Sequence, residues 1–304
     1  MPCNTENIES KIRRDVVLAP YTTFKIGGPA RFFVQPETPS EFKQSLEWCI
    51  KNKHEFFVMG SGSNILVHDK GYRGAVINTA HLDRIYIQGD FLVAECGTGV
   101  DTLVDFSVEH SLTGLEFAAG LPGSVGGALC MNARAYQGEF SRVVAMAQVL
   151  KTDTFPLSEI TLTRDQLGFE YKTSILQDEN YYVSRVYLVL KNGNRSSIQE
   201  KISEIRNKRK KAGQYAFPNA GCIFKNIHST GKPAGRIIDE LGLKGKRIGD
   251  AQVFNKHANF IVNLGTATAG DVYQLIRFIE EEVKKQTGIQ LEREIVLVGN
   301  WERL

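Results

Sequence analysis

Two glycine-rich stretches carry the residue types that chemistry on a phosphate needs: Gly60-Ser61-Gly62-Ser63-Asn64 and Gly120-Leu121-Pro122-Gly123-Ser124-Val125-Gly126-Gly127. Glycine removes side-chain bulk, so consecutive backbone N–H groups can converge on phosphate oxygens. Serine hydroxyls and the Asn64 amide add donors between them. Either stretch alone also fits a plain tight turn. Two of them so close in the chain point to a diphosphate cradle. The usual nucleotide fingerprints are excluded. Gly60-Ser61-Gly62 runs into the apolar Ile65-Leu66-Val67 rather than a helix, and a third glycine is missing. Ser229-Thr230-Gly231-Lys232-Pro233 lacks the upstream glycine of a phosphate-binding loop.

Three further positions have side chains that could act on a substrate. In Phe169-Glu170-Tyr171-Lys172-Thr173-Ser174, a cation beside a tyrosine could hold an anion; a solvated lysine at a strand end is the alternative. Cys222, in Ala220-Gly221-Cys222-Ile223-Phe224-Lys225-Asn226, reads by itself as a small buried hydrophobe. Glu294 sits in the apolar run IQLEREIVLVG, where alternation would put it on the side of Val296 and Val298. A carboxylate there is costly unless functional or paired, with Arg293 or a lysine as the partner in the second case. The basic run Arg206–Lys211 reads as a solvated helix face, with steering of a diphosphate as the alternative, and His257 reads as structural.

The elements that must position these groups are legible from patterning. Thr38, Pro39 and Glu41 open a helix with a capping box, and Phe42, Leu46, Cys49 and Ile50 give it one apolar face. Phe56–Met59 and Ile65–Val67 read as strands around the first glycine stretch. RIYIQ and FLVAEC form a hairpin turning at Gly89-Asp90. A helix from Val100 to about residue 110 precedes the second glycine stretch, and strands follow at 142–150 and 181–190. Ser197 and Glu200 suggest a capping box for a helix carrying Ile198, Ile202 and Ile205. Another helix ends at Gly242, a longer one with Val272, Leu275, Ile276, Ile279 and Val283 ends near Gly288, and a strand at 289–298 closes the chain. Unequal strands and helices with hairpins favour α+β over a doubly wound sheet.

The 304 residues suffice for two or three compact parts, and 42% apolar with 23% charged residues is a globular composition. A net charge of +3 argues against a nucleic-acid binder. The N-terminal residues show no secretory signal, and no apolar run reaches the roughly 18 residues of a spanning helix. Five cysteines (Cys3, Cys49, Cys96, Cys130, Cys222) form no CxxC and read as reduced thiols, while six histidines form no metal-ligand pair. A cytoplasmic protein without a metal is expected.

Thr22-Thr23-Phe24-Lys25-Ile26-Gly27-Gly28, the GSGSN loop and GLEFAAGLPGSVGGALCMNARAY at 114–136 resemble the UDP-N-acetylenolpyruvoylglucosamine reductases, and the likeness runs from about residue 20 onward in the family's order. The resemblance implies an α+β fold: a two-lobed FAD-binding domain of the vanillyl-alcohol oxidase and p-cresol methylhydroxylase type, with lobes at 1–76 and 77–193. An α+β substrate domain at 194–304 follows. It implies that the two glycine loops (Gly60, Ser61, Gly62, Ser63, Asn64, Gly120, Pro122, Gly123, Ser124, Gly126 and Gly127) hold FAD. NADPH is then the hydride donor, and a UDP-sugar enolpyruvyl ether is reduced in cell-wall precursor synthesis. Short spacing after Ser174 resembles the subclass without an inserted tyrosine loop. Catalytic roles fall on Lys172, Cys222 and Glu294, and substrate contacts on Tyr171, Lys225 and Asn226. Lys172 and Glu294 would polarise the substrate carboxylate, and Cys222 would protonate C2.

Four positions depart from the family's pattern, one of them Ile227, which stands for the proline that follows the Lys-Asn pair. Lys172 stands for an arginine, keeping the charge but losing the planar fork. Cys222 stands for a serine proton donor; its thiol, with a reference pKa near ~8.5, is the stronger acid. Arg134 stands for a glycine, and the sequence offers no account of it. Two substituted catalytic positions leave open a non-catalytic relative that binds FAD or a UDP-sugar, or a flavin oxidoreductase with another substrate. The sequence sets no oligomeric state; a monomer acting on a small molecule, away from nucleic acid and membrane, is the expectation.

Overall fold

The structure is a computed structural model describing residues 8–178, 180–227 and 231–301; Cys3, Ser229 and Thr230 lie outside the described residues. The chain packs as two compact units. One is built from residues 8–14, Phe32–Ser61 and Gly74–Lys208, the other from Asp15–Arg31, Gly62–Arg73 and 209–301.

In the larger unit, helix α1 (Pro39–Lys51) buries Phe42, Leu46 and Cys49, as its spacing requires. Thr38 Oγ1 accepts from the Glu41 N–H at 3.2 Å, but the Glu41 carboxylate accepts from Glu37 rather than closing the box on Thr38. Phe56–Met59 pairs in parallel with residues 75–78. A five-stranded antiparallel sheet follows in the order 158–163, 144–151, 181–188, 91–95, 85–88, and it contains the hairpin expected around Gly89. Helices α2 (Val100–Glu109) and α3 (Val125–Cys130) bury Val100, Leu103, Val104, Val125 and Leu129 in the same core. Helix α4 (Arg195–Lys211) adds Ile198 and Ile202 to that core. Its cap is Asn194, whose Oδ1 accepts from the Ser197 N–H at 3.0 Å, so the helix starts before the expected Ser197.

In the second unit, an antiparallel sheet runs in the order 219–222, 260–263, 251–253, 247–248. Helix α5 (Ala234–Glu240) buries Ile237 and Ile238. Helix α6 (Ala269–Thr287) opens with a Thr268–Asp271 capping box and closes at Gly288, whose φ of 73° suits glycine. Ile65–Val67 pairs in parallel with Val296–Val298. Phe24, Ile26 and Leu66 join α6 in this unit's core, although they come from early in the chain. The expected closing strand at 289–298 shortens to Val296–Val298. Residues 292–295 instead lie beside Ile223–Lys225, with the Ile223 carbonyl accepting from both Glu294 N–H and Ile295 N–H. That doubled bond breaks the period of two, and Val296 is 47% exposed while Val298 is buried. Alternation with Val296 and Val298 therefore does not set the side of Glu294.

Candidate active site

Within the larger unit Gly60, from the first glycine stretch, meets Ser124 of the second, whereas residues 62–64 belong to the second unit. A Cβ built on Gly60 would lie 2.0 Å from Ser124 Oγ, so any larger residue there must displace the Ser124 side chain. A Cβ on Gly126 would lie 2.9 Å from Cys96 Cβ and 3.0 Å from its carbonyl oxygen. Gly120 and Gly123 take φ of 68° and 135°, conformations that a side chain disfavours. The loop between them is pinned on both sides: Val100 N–H donates to the Gly123 carbonyl and Val125 N–H to the Thr98 carbonyl. Asp101, which sequence reasoning missed, accepts from the Gly120 N–H at 2.6 Å and pairs with Arg206 at 2.7 Å. Arg206 also pairs with Asp105, so the first residue of the basic run braces α2 instead of facing solvent. Ser124 caps α3 through the Gly127 N–H. The Ser61 and Ser124 N–H groups donate to no protein acceptor among the described residues, as a cradle for phosphate oxygens requires.

Tyr171 and Lys172 form the tip of a tight turn closed by Glu170 and Thr173. Lys172 is held at φ 61°, a conformation costing on the order of 1 kcal/mol for a side-chain-bearing residue. Surrounding bonds hold the turn in place: Asn132 Nδ2 donates to the Glu170 carbonyl at 3.1 Å, and Gln177 Nε2 to the Lys172 carbonyl at 2.9 Å. Ser174 Oγ donates to the Cys130 carbonyl at 2.7 Å. Burial pushes the Cys130 thiol up to about 11 and the Cys96 and Cys49 thiols up to about 12, which makes all three inert at neutral pH.

In the second unit, Cys222 ends the strand 219–222 opposite Phe260, after a bulge in which Gly221 has φ 74°. The half-buried thiol packs against Phe254, Phe260 and Val262. The buried Asn259 amide fixes Phe224, two residues on, accepting from its N–H at 3.0 Å and donating to its carbonyl at 2.8 Å. Glu294 N–H donates to Ile223 at 2.8 Å, and Asn64 Nδ2 donates to the Glu294 carbonyl at 2.9 Å. Cys222, Glu294 and Asn64 are thus brought to one place in this unit. Arg293 makes a two-pronged pair with Glu280 at 2.5 and 2.7 Å, so it is not the partner that would explain Glu294 away. Lys225 pairs with Glu292 at 2.5 Å, and Asn226 Oδ1 accepts from Ala234 at the start of α5. His257 packs at a tilt against Phe260, ring centroids 4.4 Å apart, and burial holds its imidazole below the usual range. The Thr22–Gly28 motif is a turn in this unit: Thr22 Oγ1 donates to the Ile26 carbonyl, and a Cβ on Gly28 would lie 2.0 Å from the Asp69 carbonyl oxygen.

Residues 213–298 match the family described as UDP-N-acetylenolpyruvoylglucosamine reductase, C-terminal domain, and residues 30–154 match an FAD binding domain. A UDP-N-acetylenolpyruvoylglucosamine reductase of Clostridium botulinum (strain Alaska E43 / Type E3) is 38% identical over 96% of this chain and 94% of its own length. One from Caldanaerobacter subterraneus subsp. tengcongensis is 37% identical over 96% of this chain and 95% of its own. The crystal structure of the reductase from Thermus caldophilus superposes with a TM-score of 0.80 at 36% identity, covering 94% of this chain and 99% of that one.

Proposed function

The chain belongs to the UDP-N-acetylenolpyruvoylglucosamine reductase family, and from that premise we propose which of its own residues carry the reaction and how. The protein is a flavin-dependent oxidoreductase that reduces UDP-N-acetylglucosamine enolpyruvate to UDP-N-acetylmuramate, with FAD as cofactor and NADPH as hydride donor. The observation that carries this is the match to named reductases along nearly the whole length of both chains. When bound, FAD supplies the two-electron relay between NADPH and C3 of the enolpyruvyl ether.

The glycine loops fit the FAD diphosphate, because side chains at Gly60 and Gly126 would have to displace Ser124 and Cys96, and the Ser61 and Ser124 N–H groups remain to donate. Lys172, fixed at its turn, pairs with the substrate carboxylate and stabilises the charge that develops there as C3 is reduced. Glu294 helps to polarise the same group. The Cys222 thiol gives its proton to C2. Tyr171, Lys225 and Asn226 contact the substrate, Lys225 by exchanging its exposed Glu292 partner for substrate oxygens. Gly62, Ser63, Asn64, Gly120, Pro122, Gly123 and Gly127 are the other residues of the two loops assigned to FAD in this proposal. A cytoplasmic location, a monomeric state and the division at 76/77 and 193/194 belong to this same proposal. Among the described residues no helix is long and apolar enough to cross a membrane.

The experiment is direct. Purified protein should be yellow and release FAD, not FMN, on denaturation, because two separate loops suit a diphosphate that FMN lacks. A protein that stays colourless after incubation with FAD would overturn the assignment.

A further inference from the structure

Arg134, which stands for a glycine of the family's pattern, lies on a two-residue hairpin in which residues 134–135 pair with 138–139. Its guanidinium stands over the Tyr171 ring, 5.4 Å from the centroid. The acid opposite it in the hairpin, Glu139, turns to Ser141 and Arg142 instead. No carboxylate among the described residues pairs with Arg134, although the residue is exposed. The next residue after Tyr171 is Lys172, so one aromatic side chain has a cation stacked on it and another adjoining it in the chain.

The two segments are tied together and do not meet by chance. Asn132 donates to the Glu170 carbonyl and accepts from Ser141 N–H, and Ser174 donates to the Cys130 carbonyl. The hairpin turn itself, Tyr136-Gln137, has φ of 45° and 65°, an unfavourable geometry for two residues with side chains. An oxyanion seated beside the exposed Arg134 guanidinium would give it the counter-charge that no described carboxylate supplies. An ammonium meets such an anion at one point, whereas a guanidinium meets two oxygens at once.

We propose that Arg134 binds an oxyanion of the substrate, supplying beside Lys172 the planar two-pronged contact that a lysine lacks. This rests on the function given above. The oxyanion belongs either to the enolpyruvyl carboxylate or to the diphosphate, and both present the oxygens a guanidinium fork fits.

The test compares wild type, Arg134→Met and Arg134→Lys. Arg134→Met should raise KM for the enolpyruvyl ether about tenfold or more, the scale of one charge-assisted hydrogen bond. Arg134→Lys should recover part of that loss, and the rate of flavin reduction by NADPH should stay unchanged in both. Adding Lys172→Arg to Arg134→Met should restore KM by returning a guanidinium to the turn. Inhibition by UDP-N-acetylglucosamine, which has the diphosphate but not the carboxylate, separates the sources. Its weakening in Arg134→Met assigns the diphosphate, and its persistence assigns the carboxylate. An unchanged KM in Arg134→Met overturns the proposal. So does a fall in thermal midpoint shared by Met and Lys variants with no change in KM, which makes Arg134 a packing cation on Tyr171. Failure of the wild type to turn over the ether would instead overturn the functional reading itself.

Discussion

Cys222 and Lys172 differ in how much of their setting could be read in advance. The neighbours of Cys222 in the chain are apolar or small, so by itself it suggests a packed thiol, and the structure does pack it on Phe254, Phe260 and Val262. Its other feature, the return of Glu294 to the adjoining Ile223 carbonyl, joins positions far apart in sequence and left no local trace. Cys222→Ala should slow substrate reduction about 10²-fold or more, the scale of losing a positioned general acid. Cys222→Ser should keep much of the activity and resist alkylation. Near-normal turnover of the Ala variant would return the residue to a packing role. For Lys172, the cation beside a tyrosine was plain, but the φ of 61° that fixes it was not, because no glycine or asparagine marks the turn. Lys172→Met should cripple reduction of the enolpyruvyl ether while flavin reduction by NADPH persists. Stopped-flow traces in which both half-reactions survive unchanged would make it a bystander.

The helices and the hairpin followed from capping residues and periodicity, and the glycine loops from composition, because these signals are local. What periodicity missed were irregular bonds. Asn194 caps α4 ahead of the more obvious Ser197, and the doubled bond at Ile223 cuts the last strand short. The meeting of Gly60 with Ser124 is also non-local, and it turns a generic flexible residue into a steric requirement. In Gly60→Ala the new methyl would displace Ser124, which caps α3. The variant should therefore lose FAD affinity and about 1 kcal/mol of stability, the usual cost of a helix cap. Ser124→Gly in the same background should recover room for the methyl. FAD titration by fluorescence quenching, alongside urea unfolding, checks both effects. Wild-type affinity in Gly60→Ala would show that the loops separate without cost.

At the scale of the molecule, composition indicated more than one part but not which segments build them. Residues 15–31 and 62–73 pack with the C-terminal third, and α4 packs with the larger unit up to Lys208. A linear reading places boundaries between neighbours in sequence, whereas Phe24, Ile26 and Leu66 share a core with Val272 and Ile276, far along the chain. The residues at 134, 172 and 222 bear on the same scale, because the roles proposed for them are tested by whether the whole protein performs the family's reaction. The decisive measurement is NADPH oxidation by the FAD-loaded protein with and without UDP-N-acetylglucosamine enolpyruvate, followed at 1:1 stoichiometry with formation of UDP-N-acetylmuramate. The account predicts fast oxidation only when the enolpyruvyl ether is present, with one product formed per NADPH. Oxidation that is equally slow with and without the ether, and yields no UDP-N-acetylmuramate, would contradict it.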